Sequence, residues 1–176
     1  MVAGAFQEKE ILNKIKNLFS GIPADEKFSK VRTKEYQAKP AVLVKHKESD
    51  QTHIVIGFRA FSMFDKRRYA LDVLADILGG GMSSRLFQKV REELGAAYYV
   101  KAGADLFTDH GFFSVAAGLD NRRCQEVIKA ILEEFRKVSY RPVSAADLAK
   151  SKNHLTGRLM IELETWDELA SFYGQH

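Results

Sequence analysis

A chain of 176 residues with 45% apolar content can bury one real core and is too short to need two. Its 27 basic and 23 acidic residues leave +4, densest between Lys27 and Lys47 but interleaved there with acids, which describes a solvated surface rather than a nucleic-acid footprint. One cysteine excludes an internal disulfide, no apolar run reaches membrane-spanning length, and Met1 to Phe6 lacks the basic start of a secretory signal, so a cytoplasmic chain is expected.

In chain order, Val2 to Phe6 reads as a short strand and Gln7 to Phe19 as a helix with Ile11, Ile15, Leu18 and Phe19 on one face. Gly21, Ile22 and Pro23 stop it, and Ala24 to Pro40 is a polar, lysine-rich linker. Ala41 to Val44 and Thr52 to Phe58 both read as strands, and the turn from Lys47 to Asp50 predicts that they pair as a hairpin. In the second of these, Ile54, Ile56 and Phe58 point one way, His53, Val55 and Gly57 the other. A helix is expected from about Lys66 to Leu78, carried by Ala70, Val73, Leu74 and Ile77 and ended by Gly79, Gly80 and Gly81. Ser83 to Leu94 reads as a second helix with Leu86, Phe87, Val90 and Leu94 in a stripe, closed by Gly95.

Ala97 to Leu106 and Gly111 to Leu119 then read as two strands joined by a turn from Phe107 to His110. Arg122 to Val138 is the most regular helix, its broad apolar stripe running through Cys124, Val127, Ile128, Ile131, Leu132 and Phe135, and it must pack on a sheet. Cys124 takes its place in that stripe as a small hydrophobe. After Pro142, the run Ser144-Ala-Ala-Asp147 resembles a capping box and opens another helix through Leu148, Leu155 and Leu159. Strand pairs separated by runs of helix predict an α+β fold with a mostly antiparallel sheet covered by helices on one face. The lone strand at the start and the helix still running at the end suggest a piece of a longer protein.

A catalytic zinc needs about three protein ligands on rigid elements. His46, His53, His110, His154 and His176 fall in no H-x-x-E-H or inverted pattern, and each reads as a surface or hydrogen-bonded histidine. Gly79 to Arg85 invites comparison with a phosphate loop, but it follows a helix rather than a strand and lacks the G-K-[ST] ending. A helix cap and tight turn, with Ser83 or Ser84 as the next N-cap, accounts for it. Neither serine sits in a G-x-S-x-G elbow, and Glu92 and Glu93 are adjacent on a helix, so they point apart. The exposed-looking aromatics Phe107, Phe112 and Phe113 lack the glycine-aromatic motif of an RNA-binding strand.

Arg91, late on a helix, and Tyr98, at the start of a strand beyond Gly95, are placed to face one edge of the sheet. A guanidinium and a phenol there can donate hydrogen bonds to a peptide carbonyl or carboxylate. The same spacing also suits a surface arginine and a half-buried tyrosine.

The stretch Leu78-Gly-Gly-Gly-Met-Ser-Ser-Arg-Leu-Phe-Gln-Lys-Val-Arg-Glu-Glu-Leu-Gly-Ala-Ala-Tyr-Tyr-Val100 resembles the pitrilysin/insulinase family of zinc metallopeptidases, which includes the mitochondrial processing peptidases. The helix from Val127 to Val138 and the run from Leu148 to Gly157 follow that family's order of elements, so the resemblance covers nearly the whole chain. It implies a half-unit of the LuxS/processing-peptidase type, one of two similar α+β units that close like a clamshell on unfolded peptides. Residues 1–23 would be the last strand and helix of the preceding unit, 24–40 a linker, and 41–176 the C-terminal domain, truncated at its end.

By the same resemblance, Arg91 and Tyr98 match an arginine and tyrosine pair that contacts bound peptide opposite the zinc. No residue here matches the zinc ligands or the water-activating glutamate, so the chain is expected to carry no catalytic residue or cofactor and to be inactive alone. Zinc is expected in a partner, either a zinc-bearing N-terminal domain or another subunit of a homo- or heterodimer, with no nucleic-acid or membrane partner. The alternative is a catalytically inactive structural or assembly subunit of the same family.

Overall fold

The computed structural model describes residues 1–26, 28–46 and 48–175. Lys27, Lys47 of the expected hairpin turn, and His176 lie outside them. Among the described residues, β1 (Thr52–Ala60), β2 (Ala97–Leu106) and β3 (Gly111–Leu119) form one antiparallel sheet in the order β1-β3-β2. The helices are α1 (Glu8–Phe19), α2 (Arg68–Gly79), α3 (Cys124–Tyr140), α4 (Ala145–Glu162) and α5 (Trp166–Gln175), with a π-helical segment at Phe87–Glu93 and a 3-10 turn at Asn121–Arg123. The fold is α+β. The chain divides into two units, Met1–Val31 with Thr156–His176, and Arg32–Leu155.

The larger unit holds the sheet, and alternation decides which side is covered. Ile54 and Ile56 of β1, Val100 and Ala102 of β2, and Phe113, Val115, Ala117 and Leu119 of β3 belong to the core. Against them pack Leu78 of α2, Leu86 and Val90 at the π-helical segment, and Val127 and Ile131 of α3, all fully buried. Phe135 of α3 meets Phe58 at 4.7 Å and Phe113 edge-on at 5.8 Å between ring centroids. The end of α2 comes so close to β2 that a Cβ on Gly79 would collide with the Ala102 backbone, so the glycine permits the approach.

Two expected strands are absent. Val2 to Phe6 bends at Gly4, whose φ of +140° interrupts an extended run. Ala41 to Val44 forms no strand and no hairpin with β1; Val42, Leu43 and Val44 are 84–97% exposed. β1 pairs instead with the nine-residue β3, from Thr52 opposite Leu119 to Ala60 opposite Gly111, and among the described residues its other edge has no strand beside it. Four apolar residues with no buried face do not make a strand.

The second expected helix forms, but as a π-helix over Phe87–Glu93 after a helical start at Arg85 and Leu86. Ser84 does not cap it, for its hydroxyl turns back to donate to the Gly81 carbonyl at 2.6 Å. Ser144 does cap α4, its Oγ accepting the Asp147 N–H at 3.0 Å. In the smaller unit, α1 and α5 are regular, yet α1 has no buried residue.

Candidate functional site

Arg91 and Tyr98 flank the same chain reversal at one end of the sheet. The π-helical segment ends with the Leu94 N–H donating to the Lys89 carbonyl at 3.2 Å, the wide i to i−5 bond of that helix type. The Ala96 N–H then donates to the Val90 carbonyl at 3.0 Å, and Gly95 turns the chain with φ +56°. The reversal is tied to α3 as well, since Arg123 donates to the Leu94 carbonyl at 2.8 Å while pairing with Glu126. Side chains four apart are neighbours on one face of such a helix. The Arg91 guanidinium accordingly lies 5.0 Å above the Phe87 ring, which steers an otherwise exposed cation.

Tyr98 is the extra residue of a β-bulge. Ala97 pairs with Leu119 and Tyr99 with Gly118, which leaves Tyr98 without a partner on β3. Parity gives the reason: Ala97 and Val100 both pack on the core, and positions of opposite parity share a face only if one residue is inserted between them. Tyr98 is 57% exposed, and no hydrogen bond joins it to Arg91 among the described residues.

The bulge also sends Tyr99 onto the open side of the sheet. There its ring lies over Gly118, where any Cβ would collide with it, and its hydroxyl reaches His53 Nδ1 at 3.1 Å. His53 pairs with the same Gly118 from β1, so the row His53, Gly118, Tyr99 crosses all three strands. Reading the sequence singled out neither His53 nor Tyr99 as a pair. The usable signal was Ala97 and Val100, both apolar at a spacing that a regular strand cannot put on one face.

A second polar cluster lies between α4 and the loop after α2, around a cleft of about 270 Å³. Asp147 pairs with Arg85 at 3.0 Å, Lys150 donates to the Ser83 carbonyl at 3.3 Å, and His154 Nδ1 lies 2.6 Å from Asp76. Arg85 first, and the Ser144 hydroxyl second, hold the Asp147 carboxyl below the usual aspartate range. The Gly79 to Arg85 loop is thus a cap and turn fastened to α4. His110 is bonded to Asp109 at 2.9 Å, and His46 is exposed.

Among the described residues, no three His, Cys, Asp or Glu side chains come together in a way that could hold a metal ion. The donors present among them therefore do not fit a zinc site. Among the same residues, no helix is long and apolar enough to cross a membrane.

Helices on one face of an antiparallel sheet with a bulged strand define an α+β domain. The family model for the peptidase M16 inactive domain matches residues 1–155, and the chain belongs to that family. It is 34% identical over 134 residues to the uncharacterized zinc protease YmxG of Bacillus subtilis, covering 76% of this chain and 33% of that one. An uncharacterized zinc protease of Mycobacterium leprae is 35% identical over 136 residues, 77% of this chain and 31% of its own. The crystal structure of a protease from Helicobacter pylori superposes with a TM-score of 0.81 at 21% identity, over 98% of this chain and 43% of that one, which shows the shared fold. The chain spans about a third of the length of these curated relatives.

Proposed function

We propose that this chain is the zinc-free half of a zinc-dependent endopeptidase of the pitrilysin/insulinase type and holds peptide in a chamber closed by a zinc-bearing partner. The observation that carries the reading is an exposed Arg91 and an exposed, bulged Tyr98 on either side of one reversal, in a chain of the M16 inactive-domain family. A guanidinium can grip a peptide carbonyl or carboxylate through two N–H groups, and a phenol adds a single directional donor. Both act by fixing the substrate backbone, a contribution of orientation rather than of bond-making.

The division of the chain belongs to the same proposal. Residues 1–23 complete a preceding unit, 24–40 link, and 41–176 form the C-terminal domain. That α1 buries none of its residues supports this, because an amphipathic helix of its kind needs a surface to cover its apolar stripe. The partner is a zinc-bearing N-terminal domain or subunit, and the setting is cytoplasmic.

The test is to combine the chain with a zinc-bearing M16 unit and follow cleavage of an unstructured peptide. Arg91→Ala and Tyr98→Ala should each raise KM by about tenfold, the worth of one charge-assisted or well-placed hydrogen bond. If both variants cleave as the parent does, the assignment of these residues is wrong. If the parent pair assembles stably and cleaves nothing, the chain is instead an inactive assembly subunit.

A further inference from the structure

We propose that Tyr99, seated on Gly118 and bonded to His53, is a positioning residue that fixes where Tyr98 projects. The inference rests on the reading of Tyr98 as a peptide contact. A β-bulge leaves one residue unpaired, but the ladder itself does not dictate which one; the choice is made by side chains that fit only one register. On the core side, Ala97 and Val100 make that choice by burial. On the open side, the row His53, Gly118, Tyr99 makes it a second time.

The fit is specific in three ways. Gly118 is buried beneath the Tyr99 ring, and any side chain there would displace it. The ring spans β3 and stacks on His53 with centroids 6.0 Å apart and planes at 30°. The hydroxyl then meets Nδ1 at 3.1 Å, so the far edge strand anchors the residue next to the bulge. Tyr98 lies between this anchor and the buried Ala97, and its backbone can shift only if one of them releases. An exposed side chain on a mobile bulge would sample many directions, whereas one held from both sides is pre-organised for a ligand.

The experiment again pairs the chain with a zinc-bearing M16 unit and a peptide substrate. Tyr99→Phe and His53→Leu each remove the cross-strand hydrogen bond, the first with the Tyr99 ring packing intact. Each should raise KM about threefold to tenfold with kcat little changed, and should shift the backbone amide resonances of Tyr98 and Ala97. In a Tyr98→Ala background, Tyr99→Phe should add nothing further, because its effect passes through Tyr98. Gly118→Ala should act like Tyr99→Phe or more strongly; where it fails to fold, the two milder variants still decide.

If Tyr98→Ala raises KM but Tyr99→Phe and His53→Leu do not, the positioning role is refuted while the peptide contact stands. If Tyr99→Phe adds its full effect on top of Tyr98→Ala, Tyr99 touches peptide directly and the inference fails. If Tyr98→Ala itself changes nothing, the functional reading falls first, and an amide shift in Tyr99→Phe would then report only local structure.

Discussion

The two faces of the sheet are made by different rules. On the helix-covered face, Val115, Ala117 and Leu119 of β3 are wholly buried, and the residues opposite them on the helices are as well. On the open face, Val55 is 71% exposed, and the order there comes from single polar contacts such as His53 with Tyr99. Burial fixes the covered face through many interchangeable apolar contacts, while the open face depends on a few residues that cannot be exchanged. Stability belongs to the first, and the proposed peptide contact at Tyr98 relies on the second.

The strongest test of that division is a cavity on the covered side. Leu78 is fully buried where α2 ends against β2, and Leu78→Ala should destabilise the chain by about 2–5 kcal/mol in denaturant unfolding. A loss under 1 kcal/mol would mean that this face is not the seat of the core. The residues around Tyr98 would then have to be reconsidered along with it.

A smaller effect is expected at α4, which touches the covering layer mainly through polar groups; Ser151 is its only buried residue among those described. Ser144→Ala removes the cap and should cost about 1 kcal/mol. The same turn should respond to acid. Because the Asp147 pKa in the folded chain is depressed by Arg85 and Ser144, its contribution is complete above the ordinary aspartate value of about 3.9. It is lost as pH falls through the lowered value. The protection of amides in the first turn of α4, measured against their intrinsic exchange rates, should therefore fall in acid, and Asp147→Asn should remove that dependence. An unchanged acid response in Asp147→Asn would assign it to another carboxylate.

What could be read from the sequence follows the same division. The stripes of α2 and α3 and the two strands from Ala97 to Leu119 were legible because burial imposes a period, and their observed limits agree closely with those expected. Ala41 to Val44 misled because β-propensity was present without burial: Val42, Leu43 and Val44 have no covered face, and β1 pairs with β3 rather than with its neighbour in sequence. The π-helical winding at Phe87–Glu93 was invisible for a similar reason. A single extra residue in a turn leaves an apolar stripe nearly intact. At the candidate site, Arg91 and Tyr98 are proposed from motif and position. The row beneath them could not be, since Gly118 and His53 reach Tyr99 only through the register of three strands.

The smallest expected effect gives the finest resolution of the two faces, because it compares neighbours in sequence. Val55 and Ile56 are both β-branched, sit side by side on β1, and point to opposite sides; Ile56 packs on the core and Val55 pairs with Ala116 on the open side. Val55→Thr keeps the branched shape and places a hydroxyl in water, so unfolding free energy should move by no more than about 0.5 kcal/mol. Ile56→Thr buries part of a hydroxyl among apolar neighbours and should cost about 1–3 kcal/mol. Equal losses at the two positions would show that the open face is covered in the folded chain. His53 and Tyr99 would then be core residues whose contact serves packing, leaving Tyr98 to be held by the buried side of the bulge alone.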